Sequence, residues 1–154
     1  MSVLSHQSIP SSIVTPWVGD KMVHMETGMS FGRSACGYDI RLKQDLLLWP
    51  QSFSLASTVE RFDLPYDIMA RVCDKSTLAR KGLQVFNTCL EPGWNGWLTL
   101  ELKNQTWKFM RLRAGQPIAQ VIFERLDQPT IRPYNGKYQG QPDMPVSSIR
   151  EAAR

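Results

Sequence analysis

A glutamate sits in the middle of the alternating stretch WNGWLTLELKN. Leu98, Leu100 and Leu102 share one face of an extended strand there, and Trp97, Thr99 and Glu101 share the other. On a solvated face Glu101 is an ordinary strand residue. Lining a pocket beside Trp97, it is the best general acid/base candidate in the chain, because apolar walls raise a carboxyl pKa toward neutrality and suit it to moving protons. A second cluster lies in DKSTLARKG, Asp74 to Gly82. A capping-type Asp, good helix formers and a terminal Gly predict a helical turn or two. Ser76 and Arg80 are then neighbours on one face. Ser76 and Thr77 offer hydroxyls and early-turn N–H groups, while Arg80 adds a fixed cation with a planar donor fork. That chemistry suits a phosphate or the positioning of a charged catalytic group, and a capped surface turn is the plain alternative. Glu91 precedes a Pro-Gly turn. Asp39, in GYDIRL, is either a structural carboxylate paired with Arg41 or another arginine, or a ligand-site residue. In RPYNGKYQGQ the polar groups are Tyr134, Lys137, Tyr138 and Gln141. Lys137 suits a phosphate, and Gln141 a phosphate or sugar oxygen.

Much chemistry is missing. Both histidines, His6 and His24, lie near the N-terminus, which disfavours a histidine-based triad. No H-x-E followed by P-C-x-x-C is present, as the zinc route to nucleobase deamination requires. Neither G-x-x-x-x-G-K-[ST] nor G-x-G-x-x-G occurs. Catalysis is left to carboxylates, hydroxyls, Arg and Lys, with any Mg²⁺ held mainly by substrate phosphates. The net charge of +4 comes from scattered basic residues, is modest for a nucleic-acid binder and equally suits a small polyanion such as a nucleoside triphosphate; no nucleic-acid partner is expected. Cys36, Cys73 and Cys89 are odd in number and widely spaced, so a reducing cytoplasm is expected. No apolar run approaches membrane-spanning length, and no membrane partner is expected.

The elements that must position these groups are short and β-like: GYDIRL, DLLLWP, SFSLASTVE, DIMARVC, LQVFNTCLE, WLTLELK, KFMRLRA and PIAQVIFERL, separated by turn signals. Such spacing predicts an all-β sandwich or barrel in a chain of 154 residues, enough for one domain with a real core. NTCLEPGWNGWLTLEL reads as a β-hairpin whose backbone could read a planar base by its edge. Three segments are expected: a mixed, polar N-terminal one over 1–30, a core over 31–126, and a Pro-, Gly- and Gln-rich tail over 127–154 that gains order by docking on a ligand or another subunit.

The motifs SACGYDIRL, DKSTLARKGL, EPGWNGWLTLEL, AGQPIAQVIFERL and RPYNGKYQGQ, in this order, resemble the dCTP deaminase branch of the dUTPase-like superfamily over roughly residues 30 to 142. The resemblance implies a distorted β-barrel with one short helix, assembled as a homotrimer with active sites between subunits. It also implies zinc-independent conversion of dCTP to dUTP and ammonia, with Mg²⁺ bound alongside the triphosphate. On matching positions Glu101 activates water, Ser76 helps to position water and base, and Arg80 holds Glu101 and the developing charge. Lys75 and Thr77 fall where the family contacts phosphates. Glu91 stands where an Asp faces the deoxyribose, and Tyr134, Lys137 and Gln141 match the closing tail.

One departure concerns substrate choice. Between GLQV and EPGW this chain has only FNTCL, shorter than the H-x-T-A-x-x-I-D type stretch of typical members. That stretch supplies backbone contacts to water and base. The rival activity is dUTP hydrolysis to dUMP and pyrophosphate, with Glu91 activating water, alone or joined to deamination in a bifunctional protein. A rival of another class is a catalytically silent, nucleotide-binding regulator, for which the combination of Ser76, Arg80 and Glu101 would be superfluous.

Overall fold

Apolar residues at alternate positions decide which way the long strands face. Ala119, Val121 and Phe123 are completely buried along one strand, and Leu100 and Leu102 along another. The computed structural model describes residues 2–150. It contains β1 (Ser2–Val3), β2 (Val14–Thr15), β3 (Met22–Val23), β4 (Ser30–Arg33), β5 (Tyr38–Arg41), β6 (Leu46–Leu48), β7 (Phe53–Asp63) and β8 (Ile68–Asp74). After these come the one-turn helix α1 (Ser76–Ala79), β9 (Leu83–Val85), β10 (Cys89–Leu90), β11 (Asn95–Asn104), β12 (Met110–Leu112) and β13 (Pro117–Arg125). One sheet runs β10-β8-β13-β5-β4-β3, with β1 also on β13. A second runs β2-β7-β11-β9, and β12-β6 forms a separate ribbon. An isolated bridge between Leu42 and Thr58 joins the two larger sheets. The fold is mainly β, with one short helix, as the strand spacing predicts.

Four details differ from the sequence reading. The EPGW segment does not fold back as a hairpin: β10 pairs with β8, whereas β11 pairs with β7 and β9. The Glu91–Trp94 turn, closed by Trp94 N–H to the Glu91 carbonyl at 3.1 Å, therefore carries the chain from one sheet to the other. Asp74 does not cap α1. It ends β8, and its Oδ1 accepts the Val85 N–H at 2.8 Å, while Lys75 occupies the cap position with no side-chain bond. Asp39 pairs with a lysine rather than an arginine: Lys75 Nζ lies 2.9 Å from its Oδ2, with both side chains buried. Arg41 turns instead to Glu60 on the neighbouring β7. Residues 127–150 lie on their own chain, where the Trp94 indole N–H donates to the Tyr138 carbonyl at 2.7 Å.

The Glu60 carboxylate is fully buried and accepts both the Arg41 Nε–H at 2.7 Å and the Arg41 backbone N–H at 2.8 Å. Burial outweighs the arginine and pushes its pKa up. Glu60→Ala strands both donors, and a loss of about 3 kcal/mol of stability is expected, read as a fall in the urea midpoint at unchanged slope.

Candidate active site between the two sheets

Because β10 and β11 belong to different sheets, a cavity of about 590 Å³ opens between them. Glu101, Thr99 and Leu98 of β11 form one wall, Cys89, Leu90 and Glu91 another, and Tyr134, Tyr138 and Gln141 of the tail close over it. The alternation in β11 decides which groups face inward: Leu100 and Leu102 go to the core, leaving Glu101 half-buried on the cavity side. Burial pushes its carboxyl above the ordinary glutamate value. No ion pair among the described residues involves Glu101.

Tail and strand are locked by carboxamides. Gln141 forms a parallel bridge with Gly96, its carbonyl accepts the Trp97 N–H at 3.1 Å, and its Oε1 accepts from Thr99 N at 3.2 Å and Thr99 Oγ1 at 3.0 Å. The approach needs glycine: Gly96 has φ +135°, and a Cβ there would lie 2.6 Å from Gln141 N. The Gln139 amide donates to the Gly93 carbonyl at 2.7 Å, and Tyr134 N–H donates to the Pro92 carbonyl at 2.8 Å. Farther along, the Val146 N–H donates to Thr99 Oγ1 at 3.0 Å.

Of the residues singled out from sequence, Glu101, Glu91, Tyr134, Tyr138 and Gln141 line this one cavity. Ser76, Thr77 and Arg80 do not: the first two are exposed on α1 and Arg80 is exposed just past its end. Gly82 ends that turn at φ +87°, where a Cβ would meet Thr106 Cγ2 at 2.4 Å. Lys75 is held inward by Asp39. Lys137 is exposed, its ammonium 5.4 Å from the Tyr138 ring centre. The structure also brings in Asn87, Thr99 and Trp94, which sequence reasoning passed over. The shortened FNTCL stretch was the available signal for Asn87. Thr99 had one too, since it shares a strand face with Glu101.

A half-buried carboxyl beside main-chain groups and aromatic rings can move protons on a planar, neutral heterocycle. Among the described residues no ion pair holds it ionised, and Ser76, at the start of α1, and Arg80, just past its end, lie outside the cavity lining. The family described as dCTP deaminase-like matches residues 22–126. A dCTP deaminase of Campylobacter fetus subsp. fetus is 32% identical, with 95% of each chain covered. One from Acidovorax sp. is 35% identical, covering 73% of this chain and 77% of its own. Among solved structures, a Staphylococcus bacteriophage 80alpha dUTPase superposes with a TM-score of 0.57 over 73% of this chain and 86% of its own, at 17% identity, a likeness of fold.

Proposed function

This chain belongs to the dCTP deaminase-like family, and from that premise we propose that it converts dCTP and water to dUTP and ammonia. The observation that carries the reading is Glu101, half-buried in the cavity wall with its carboxyl pushed up by burial and in no ion pair among the described residues. Ser76 and Arg80 of a second copy, in a homotrimer, complete the site. Ionised Glu101 takes a proton from water as the oxygen bonds to C4 of cytosine, and passes that proton to N3. It then takes the hydroxyl proton and delivers it to the amino nitrogen. The C4–N bond breaks, the C4 carbonyl forms and ammonia leaves. Arg80 holds the carboxylate and the developing charge, and Ser76 positions the water.

Thr77 and the N–H groups of its turn meet the phosphates, and the Asp39 partner fixes the Lys75 ammonium at the edge of that site. Glu91, exposed at the cavity wall, faces the sugar, and Tyr134, Lys137 and Gln141 close the tail over the nucleotide. Mg²⁺ would be held through the hard phosphate oxygens of the substrate rather than by side chains of this chain, and would screen the triphosphate charge. No helix among the described residues is long and apolar enough to cross a membrane, and the three cysteines are free. The free cysteines suit a reducing compartment, and we propose the cytoplasm.

The second reading, dUTP hydrolysis, keeps one specific support: Glu91 shares the cavity with Glu101. Incubation with dCTP or with dUTP in Mg²⁺, and separation of products by anion exchange, decides between them. The deaminase reading expects dUTP from dCTP, and further dUMP would make the protein bifunctional. Untouched dCTP with dUMP formed from dUTP would move the chemistry to Glu91.

A further inference from the structure

The strand pairing on the β9 side of β11 ends early, and a side chain carries it on. Antiparallel pairing matches Asn104, Lys103 and Leu102 with Leu83, Gln84 and Val85. In the same register Glu101 faces Phe86, and Phe86 N–H donates to the Glu101 carbonyl at 2.9 Å. The return bond of that rung, from Glu101 N–H, goes not to the Phe86 carbonyl but to Asn87 Oδ1, at 3.0 Å. The Thr99 carbonyl, two residues back, receives the Asn87 Nδ2–H at 2.6 Å. Past Asn87 the chain has left for the other sheet, where Cys89 and Leu90 pair with β8.

We infer that Asn87 is a positioning residue for Glu101, its carboxamide replacing the backbone of the strand that the shortened FNTCL stretch cannot extend. One side chain supplies the acceptor and the donor that a peptide group would have supplied. The bonds also fix the orientation of the carboxamide, since Glu101 N–H needs an oxygen and the Thr99 carbonyl needs a donor. It spans Leu100 and so clamps the backbone on both sides of it, which sets the direction of the Glu101 side chain into the cavity. Asn87 itself lines the cavity beside the carboxyl it orients.

The inference rests on Glu101 acting in dCTP deamination, and its test keeps the two claims apart. Wild type, Asn87→Ala and Asn87→Asp are compared for kcat and KM with dCTP across pH, and for hydrogen exchange at the Glu101 amide. Asn87→Ala is expected to lower kcat by about 100-fold, the scale of a misplaced catalytic group, with KM changed less than about 3-fold. Its Glu101 amide is expected to exchange faster than in wild type. Asn87→Asp keeps the acceptor for that amide, gives up the donor to the Thr99 carbonyl, and sets a like charge beside Glu101. The acid limb of its kcat/KM profile is expected to move up by about one pH unit. Unchanged kcat in the alanine variant, or an aspartate profile that superposes on wild type, overturns the inference alone. Wild-type protein that leaves dCTP untouched overturns the deaminase reading and the inference with it.

Discussion

Glu101→Gln is expected to lower kcat for dCTP by about 1,000-fold, within the range general acid–base groups contribute, while the variant still binds dCTP. Gln has nearly the size of Glu, and the backbone bonds to Phe86 and Asn87 do not use the carboxyl. Fold and cavity should therefore persist. What disappears is the group proposed to take a proton from water and return it to N3 and then to the amine. Steady-state kinetics with equilibrium dCTP binding separates the two effects. A variant with near wild-type kcat would remove Glu101 from the chemistry, and one that fails to bind dCTP would make it a binding residue.

Arg80→Ala is expected to lower kcat by about 100-fold, as the loss of one preorganised electrostatic partner does elsewhere. It should also change the pH profile in a definite direction. Burial already raises the Glu101 carboxyl above its ordinary value. Glu101 must be ionised to accept a proton, so kcat/KM is present above its pKa and lost as pH falls through it. The Arg80 cation favours the ionised form, and removing it leaves desolvation unopposed. The acid limb then moves to higher pH. A limb that stays in place, with kcat reduced, would give Arg80 a role in phosphate binding instead.

The strands were largely readable because each long one writes its buried face in period two, as Leu98, Leu100 and Leu102 do in β11. The first 33 residues were not. Leu4, Ile9, Ile13 and Val14 are buried there, but β1, β2 and β3 are two residues each, too short to show any period. The β10–β11 segment misled for another reason: a tight Pro-Gly turn between two extended runs looks the same whether the runs pair with each other or with different sheets. Nor could local sequence show that Lys75 pairs with Asp39, since the partners are far apart in the chain and meet only through the fold.

In the candidate site, Glu101 could be argued from alternation and a neighbouring Trp, yet whether its face meets solvent or a cavity depends on a tail some forty residues away. Asn87 was hidden more deeply. An asparagine after a short strand reads as a turn residue, and only the register of β9 on β11 shows a broken rung for it to fill.

The proposed site pairs Glu101 of one chain with Arg80 of another. Mixing the separately impaired Glu101→Gln and Arg80→Ala chains, unfolded and refolded together, tests that pairing. In a closed trimer each mixed assembly holds one site with both groups intact, so an equal mixture is expected to recover about one quarter of wild-type activity on dCTP. Activity no higher than that of the two variants kept apart would contradict it, and would remove Arg80 from the site of Glu101.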